Sequence, residues 1–302
     1  MTGYLHEKYA KSFEETSYPI LLTNCQGWLL LRNILELSYK DAMGCYPLFC
    51  CNDWSKLYKD LDDLQSEIIS AYFVADPFGN YCEFDLKSYF KDICFAYKAH
   101  FVINLSHNIE DFVSLHHKRN AKKALSSLRV EKCEKHDQFL DDWISLYNVL
   151  IKKHNIQGIT KFSPAFFAKQ FKVPGLIIFR ASHQEKTVGM MLWYIQNDIA
   201  YYHLGAYNNL GYELKASFAL FWIAIEYFTN LGLKWLNLGA GAGVNQNNTD
   251  GLTRFKKGWS TETKTAYFCG KIFDLEKYNA IIKTKLIEKI NYFPAYRFGE
   301  FK

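Results

Sequence analysis

The chain has 302 residues, of which 49% are hydrophobic, 17% aromatic and 22% charged. That balance excludes extensive disorder and supplies enough apolar side chain for one large domain or two small ones. The formal net charge of +5 suits an anionic ligand without demanding nucleic acid.

The first fifteen residues, MTGYLHEKYAKSFEE, are polar and lack the apolar run of a secretion signal. The most apolar stretch, residues 216–227, contains Glu226 and is too short for a membrane span. A cytoplasmic protein without a membrane span is the expectation. None of the eight cysteines forms a CxxC pair. They read as reduced, buried side chains, and no zinc-type spacing or other metal site is expected.

Residues 1–18 read as an arm. PILL and GWLLLRNIL predict two strands around a turn at 24–27, and CYPLFCC a short apolar strand. Asp53 caps a helix whose apolar positions, from Trp54 through Leu57, Leu61 and Leu64 to Ile68, recur at helical spacing. SAYFVA predicts a strand stopped by the turn chemistry of Asp76-Pro77-Phe78-Gly79. AYKAHFVINL is a strand, and residues 108–128 a helix with the basic face His116, His117, Lys118, Arg119, Lys122 and Lys123. RVEKCEKH alternates as a strand, Asp137 caps a long helix, and Ser163-Pro164 opens a short one. From Pro174 three strands follow, GLIIFRA, VGMMLWYI and IAYYHLGAY, joined by hairpin-length polar turns. The middle one is apolar on both faces and therefore central. A helix over 212–231, the strand KWLNLG, a strand near KTAYFCGKIF and a helix over 278–290 complete the chain. Both halves hold strands, a helix and further strands. The expected class is α+β, with two related lobes, 1–106 and 107–302, each a mixed, mostly antiparallel sheet flanked by helices.

The chemistry concentrates in residues 199–259. NLGYELKAS joins a strand to a helix. Gly211 permits a tight turn, and Lys215, Ala216 and Ser217 lie near the helix start, where free amides and the positive dipole end suit a phosphate. An ordinary strand–helix connection reads the same way. Alternation puts Tyr201, His203 and Tyr207 on one face, with Gly205 leaving room between them. His203 is the natural general base there, or else a histidine satisfied in the core. Gly239-Ala240-Gly241-Ala242-Gly243 follows a strand but runs into VNQNNTD. That excludes a dinucleotide fingerprint, which opens directly into a helix, and suits an active-site or lid loop. In DGLTRFKKGWS, Lys256 shares an apolar helix face with Leu252, Phe255 and Trp259. A lysine so placed either snorkels or meets an anion.

The strand Tyr201–Tyr207, LKAS before an apolar helix, LNLG, DGLTRFKKGW and the upstream HHKRNAKKAL together resemble the FemAB-like, or Fem-type, branch of the GNAT acyltransferase superfamily over residues 107–270. The resemblance implies two GNAT-like lobes and an N-acyltransferase that moves an acyl group from a thioester or aminoacyl donor to an amine. GNAT proteins bind the CoA pyrophosphate after the fourth core strand, which falls here on Gly211, Lys215, Ala216 and Ser217. The usual Arg/Gln-x-x-Gly-x-Gly/Ala loop is replaced by Asn208-Asn209-Leu210-Gly211-Tyr212-Glu213. The lysine after Phe255, Lys256, takes the Fem-type role of substrate or transition-state contact. His203 and Lys256 are then the catalytic pair, and Tyr201, Tyr207, Arg119, Lys123, Asp250 and Phe255 the substrate contacts. The co-substrate is expected to be acyl-CoA and the acceptor a small amine or cell-envelope precursor. An aminoacyl-tRNA donor is the first alternative, and a non-catalytic GNAT-like binding module the second.

Overall fold

The computed structural model describes residues 1–34, 38–242, 250–285 and 291–300. Its elements, in chain order, are α1 (Glu7–Lys11), β1 (Tyr18–Leu22), β2 (Gly27–Asn33), β3 (Lys40–Gly44), α2 (Leu57–Asp63), β4 (Ser70–Val74), α3 (Glu83–Tyr89), β5 (Ile93–Asn104), α4 (Ile109–Phe112), α5 (Leu115–Leu125), β6 (Arg129–Lys132), α6 (Leu140–His154), α7 (Pro164–Gln170), β7 (Leu176–His183), β8 (Lys186–Gln196), β9 (Ile199–Tyr207), α8 (Asn209–Glu213), α9 (Ala216–Asn230), β10 (Trp235–Gly239), α10 (Gly251–Lys257), β11 (Glu262–Ile272) and α11 (Leu275–Thr284). Contacts divide the chain into two compact units. One holds residues 4–97, 158–160 and 265–302; the other holds 1–3, 98–157 and 161–264. Among the described residues no helix is long and apolar enough to cross a membrane.

In the first unit, β1, β2 and β3 form an antiparallel meander, β3 runs parallel to β4, and β11 lies antiparallel to β4. Helix α2 and its flanking turns bury Trp54, Leu57, Leu61 and Leu64 against Phe49 and Phe73 of the core. The expected strand at CYPLFCC is instead a buried connection, touching β4's extension through the single bridge Phe49↔Ala75. The strand is the preceding KDAMG, which looks polar. Asp41 is fully buried there, gripped by Arg297 at 2.9 Å through both carboxylate oxygens and by Arg32 at 3.2 Å. A carboxylate with two arginines is tolerated inside; one left alone is not.

In the second unit the order is β5–β10–β9–β8–β7–β6. Every pair is antiparallel except β10 with β9. The three strands read from Pro174 onward are present, and β8 is buried on both faces. On one side α9 packs Leu220, Phe221 and Phe228 against Trp193, Met191 and Phe179. Each such aromatic or leucine contributes roughly 1.5–3 kcal/mol of burial. On the other side Trp143 and Tyr147 of α6 meet Phe166 and Phe167 of α7 in a chain of ring contacts. Ser163 caps α7 as its sequence suggests, accepting from the Phe166 amide at 3.0 Å. Two expected single helices are broken. Residues 108–128 split at Val113-Ser114, and 212–231 at Leu214-Lys215, where Lys215 takes φ +59°.

Asp41→Ala would take the carboxylate from half-buried Arg297 and one of two carboxylates from buried Arg32, which keeps Glu300. It is expected to destabilise the chain by about 1–3 kcal/mol, read as a lowered urea midpoint. An unchanged midpoint would show that the arginines need no partner.

Candidate active site

The site is built where β9 and β10 part. Their parallel ladder runs Trp235↔Ile199, Leu236↔Ala200, Asn237↔Tyr201 and goes no further, while β9 continues against β8 to Tyr207. At that level β9 carries a bulge. Trp193 faces Tyr202 but its neighbour Leu192 faces Leu204, so His203 is the extra residue. A bulge bends its strand and reverses the parity of everything beyond it.

That reversal corrects the polar row expected from strict alternation. Ala200 and Tyr202 face the α9 core, and past the bulge Tyr207 joins them there. Tyr201 and His203 lie on the opposite face. The Tyr202 and Tyr207 side chains are hydrogen-bonded to each other. The space beside Gly205 is filled by those hydroxyls, since a Cβ there would lie 2.3 Å from the Tyr202 Oη.

His203 is buried beside Tyr194, with ring centroids 5.1 Å apart. Its Nε2 lies 3.0 Å from the Gln170 Oε1. An amide oxygen only accepts, so Nε2 carries the proton. Burial pushes the ring's pKa down to about 3, which keeps it neutral and a weak base at neutral pH.

Lys256 is placed differently. Helix α10 starts at Asp250, whose Oδ1 accepts from the Leu252 and Thr253 amides at 2.9 Å and whose Oδ2 accepts from the Thr253 hydroxyl at 2.5 Å. Asp250 is therefore the N-cap. Six residues on, Lys256 is only 6% exposed. Its Nζ donates to the Ala240 carbonyl at 2.6 Å and stands 5.7 Å from the centroid of the Tyr202 ring. Burial first, then repulsion from Lys98, bring its pKa down to about 7, against the pull of Asp250.

Ala240 lies just past the end of β10, where Asn237 anchors the strand. Asn237 Oδ1 accepts from the Gly239 amide at 2.9 Å and lies 3.0 Å from Nδ1 of buried His100 on β5. The backbone bond fixes the amide's orientation, so His100 Nδ1 is the donor. Burial lowers the His100 pKa to about 4, further helped by Lys256 and Lys98 and opposed by the Asn237 bond. The Asn237 Nδ2 is buried with no hydrogen-bond partner among the described residues. His100, Asn237, Lys98 and Tyr202 were not singled out from the sequence. The available signal was a polar residue inside each of two apolar strands, AYKAHFVINL and KWLNLG.

Helix α5 braces α10. His117 Nε2 donates to the Phe255 carbonyl at 2.9 Å, its Nδ1 accepts from the Ser114 hydroxyl at 2.7 Å, and the Ser114 amide donates to the Gly258 carbonyl at 3.0 Å. Phe255 packs its ring on Phe218 and Phe221 of α9, each with centroids 5.1 Å away. Arg119 and Lys123 are on the exposed face of α5. With Lys118 and Lys122, Arg119 borders a groove toward Trp222 rather than Lys256.

The residues expected to hold a pyrophosphate are partly spent within the chain. Gly211 lies inside α8, its amide donating to Asn208 Oδ1 at 2.8 Å. A Cβ on Gly211 would meet the Val188 carbonyl oxygen at 2.1 Å. Lys215 Nζ donates to Asn120 Oδ1 at 2.5 Å. Ala216 and Ser217 are the first two residues of α9. The lid expected from the Gly-rich loop falls on residues 243–249, outside the described residues.

Residues 115–257 match the family described as an acetyltransferase (GNAT) domain. No curated protein matches the sequence. The crystal structure of FemX shares the fold at a TM-score of 0.67 and 12% identity, over 91% of this chain and 93% of that one. The C-terminal domain (DUF2156) of a putative lysylphosphatidylglycerol synthetase from Agrobacterium fabrum aligns at 0.63 and 11%, over 93% and 95%. L-PGS from Bacillus licheniformis aligns at 0.60 and 13%, over 94% and 97%.

Two measurements test this geometry. A lysine whose folded pKa is about 7, against 10.5 for the free group, is deprotonated in the fold while the unfolded chain still holds the proton. Stability should therefore rise with pH from 7 towards about 10, and Lys256→Met should remove that rise. Parallel curves for the two proteins would place the ammonium in water. Gly211→Ala should lower stability by about 1–3 kcal/mol through overpacking against Val188; an unchanged urea midpoint would show the turn to be open.

Proposed function

We propose, for a chain that carries an acyltransferase domain of the GNAT superfamily, that it moves an acyl group to the amine of a small or cell-envelope-related acceptor by direct attack. The carrying observation is Lys256: a buried ammonium, poised between its two protonation states near neutrality, at the point where β9 leaves β10. The acceptor nitrogen attacks the donor carbonyl carbon. The C–N bond forms and the carbonyl becomes an oxyanion, which collapses as the donor's C–S or C–O bond breaks; the proton shed by the acceptor nitrogen balances the one taken up by the leaving thiolate or ribose oxygen. Protonated Lys256 is suited to stabilise that oxyanion or to give its proton to the leaving group, and the buried Asn237 Nδ2 is a second donor at the same strand end. In this reading the order of proton affinities gives Lys256 the acid role and leaves His203 as a neutral, positioning residue on the far face of β9. The reaction needs no covalent enzyme intermediate.

Acyl-CoA is the first donor to test, bound through the start of α9 at Ala216 and Ser217. A second reading, an aminoacyl-tRNA donor, is favoured by two observations. The Gly211 amide and Lys215 ammonium are already engaged. Helix α5 exposes Arg119, Lys122 and Lys123, beside Lys118 paired with Glu110, a surface that suits a phosphate backbone. The printed name of one fold neighbour, a putative lysylphosphatidylglycerol synthetase, also speaks of a lysyl group.

The deciding experiment offers acetyl-CoA and aminoacyl-tRNA separately to the full chain with a mixed pool of amine acceptors and follows N-acylated products by mass spectrometry. Lys256→Met is expected to cut the rate by roughly 10²–10³. The wild-type rate should fall as pH rises through about 7, because the protonated form is the one required. Product from one donor only settles the donor. Full activity in Lys256→Met sinks the assigned role, and no product from either donor favours a binding module.

A further inference from the structure

Two thiols lie side by side in the first unit, among residues the proposed chemistry does not use. Cys94 on β5 is partly exposed, and Cys269 on β11 is fully buried. Their sulfurs are 3.9 Å apart. The other exposed thiol, Cys82, has a different neighbour: its Sγ donates to the Asp85 carboxylate at 3.0 Å. Beside Cys94 the nearest charges are Lys87 and Glu83, themselves paired at 2.6 Å.

We propose that Cys94 and Cys269 form a peroxide-oxidisable dithiol, in which the accessible Cys94 reacts first and the buried Cys269 resolves it to a disulfide. The geometry supplies the two features such a pair needs: one sulfur open to a small oxidant, and a second within reach that solvent cannot compete for. The hydrogen bond from the Cys269 thiol is the largest influence on Cys94 and favours its thiolate; Lys87 favours it too, while partial burial and Glu83 oppose. The same bond, with burial, raises the Cys269 thiol and keeps it protonated.

The oxidant is hydrogen peroxide. The Cys94 thiolate attacks one peroxide oxygen; an S–O bond forms, the O–O bond breaks, and the other oxygen leaves as water after taking a proton. Cys94 is then a sulfenic acid, oxidised by two electrons. The Cys269 sulfur attacks the Cys94 sulfur, the S–S bond forms, the S–O bond breaks, and hydroxide leaves with the thiol proton as a second water. Two thiols and one peroxide thus give one disulfide and two waters. The sulfurs must close from 3.9 Å to about 2.0 Å, a movement within the reach of side-chain rotation in neighbouring strands.

The test treats the full chain with equimolar hydrogen peroxide and maps thiols by peptide mass spectrometry, with a 1,3-diketone present to trap sulfenic acid. In the wild type the expected product is a Cys94–Cys269 cross-linked peptide, lighter by two hydrogens and restored by dithiothreitol, with Cys94 consumed roughly tenfold faster than Cys82. In Cys269→Ser the expected product is the trapped adduct on Cys94 without the cross-link. The wild-type time course alone decides the matter should that variant misfold. Cys94 reacting no faster than Cys82, or passing to the sulfinic acid in the wild type with no cross-link, overturns the proposal. None of these outcomes depends on the transferase reading, since the readout is thiol chemistry and not acyl transfer.

Discussion

A strand can leave one neighbour while keeping the other only if its backbone bends, and in β9 the bend is made by one inserted residue. The ladder to β10 ends at Tyr201, and the bulge at His203 follows at once on the β8 side. The added twist carries the rest of β9 away from β10. β10 is itself irregular, with its pairing to β5 shifting between Asn237 and Gly239. Both strands therefore lose regularity at one level, from opposite edges of their shared ladder. Each of the other features follows from that. The Asn237 side chain turns to bind the Gly239 amide, the Ala240 carbonyl points where Lys256 can reach it, and Tyr202 and Tyr207 come to one face.

A buried ammonium needs compensation of several kcal/mol, and Lys256 obtains it piecemeal. One carbonyl, one aromatic face and one carboxylate at the helix start stand against burial and the repulsion of Lys98. The result is a group held near its titration point rather than a fully charged or fully neutral one. That balance depends on α10 keeping its place, which the ring contacts of Phe255 and the His117 bond to its carbonyl secure. His117, Phe218, Phe255 and Trp259 form one packed cluster of rings, so a change in any of them would be felt as a displacement of Lys256.

The regular parts of this arrangement were legible in the sequence. β7, β8 and β9 announce themselves by apolar runs between short polar turns, and Lys256 by its position on an apolar helix face. What could not be read is whatever breaks a period without changing composition. The bulge at His203 leaves IAYYHLGAY looking like a perfect alternation, and so misplaces Tyr207 by one face. The break between α8 and α9 falls on Leu214-Lys215, with no glycine or proline to mark it, because Lys215 itself adopts the left-handed conformation. Asp250, expected from the sequence as a substrate contact, caps α10; helix starts and anion contacts call on the same residue types. Asp41 hid a strand, because its partner Arg297 lies more than two hundred residues on. The polar anchors His100 and Asn237 were overlooked for the opposite reason: each sits alone among apolar neighbours, and only their meeting across β5 and β10 gives them a role.

Helix α5 joins the two halves of the donor question. Its buried face reaches α10 through His117 and the α8–α9 junction through Asn120, which takes the Lys215 ammonium and in turn bonds His116 at 2.8 Å. Its exposed face carries Arg119, Lys122 and Lys123. A ligand drawn to the Lys215 ammonium would have to compete with Asn120 for it, and so would act on the contact between α5 and α9. A long polyanion could lie along the exposed face and leave that contact intact. The Lys215–Asn120 bond thus ties the basic helix to the α8–α9 junction, so that the buried and exposed faces of α5 are held by one set of contacts.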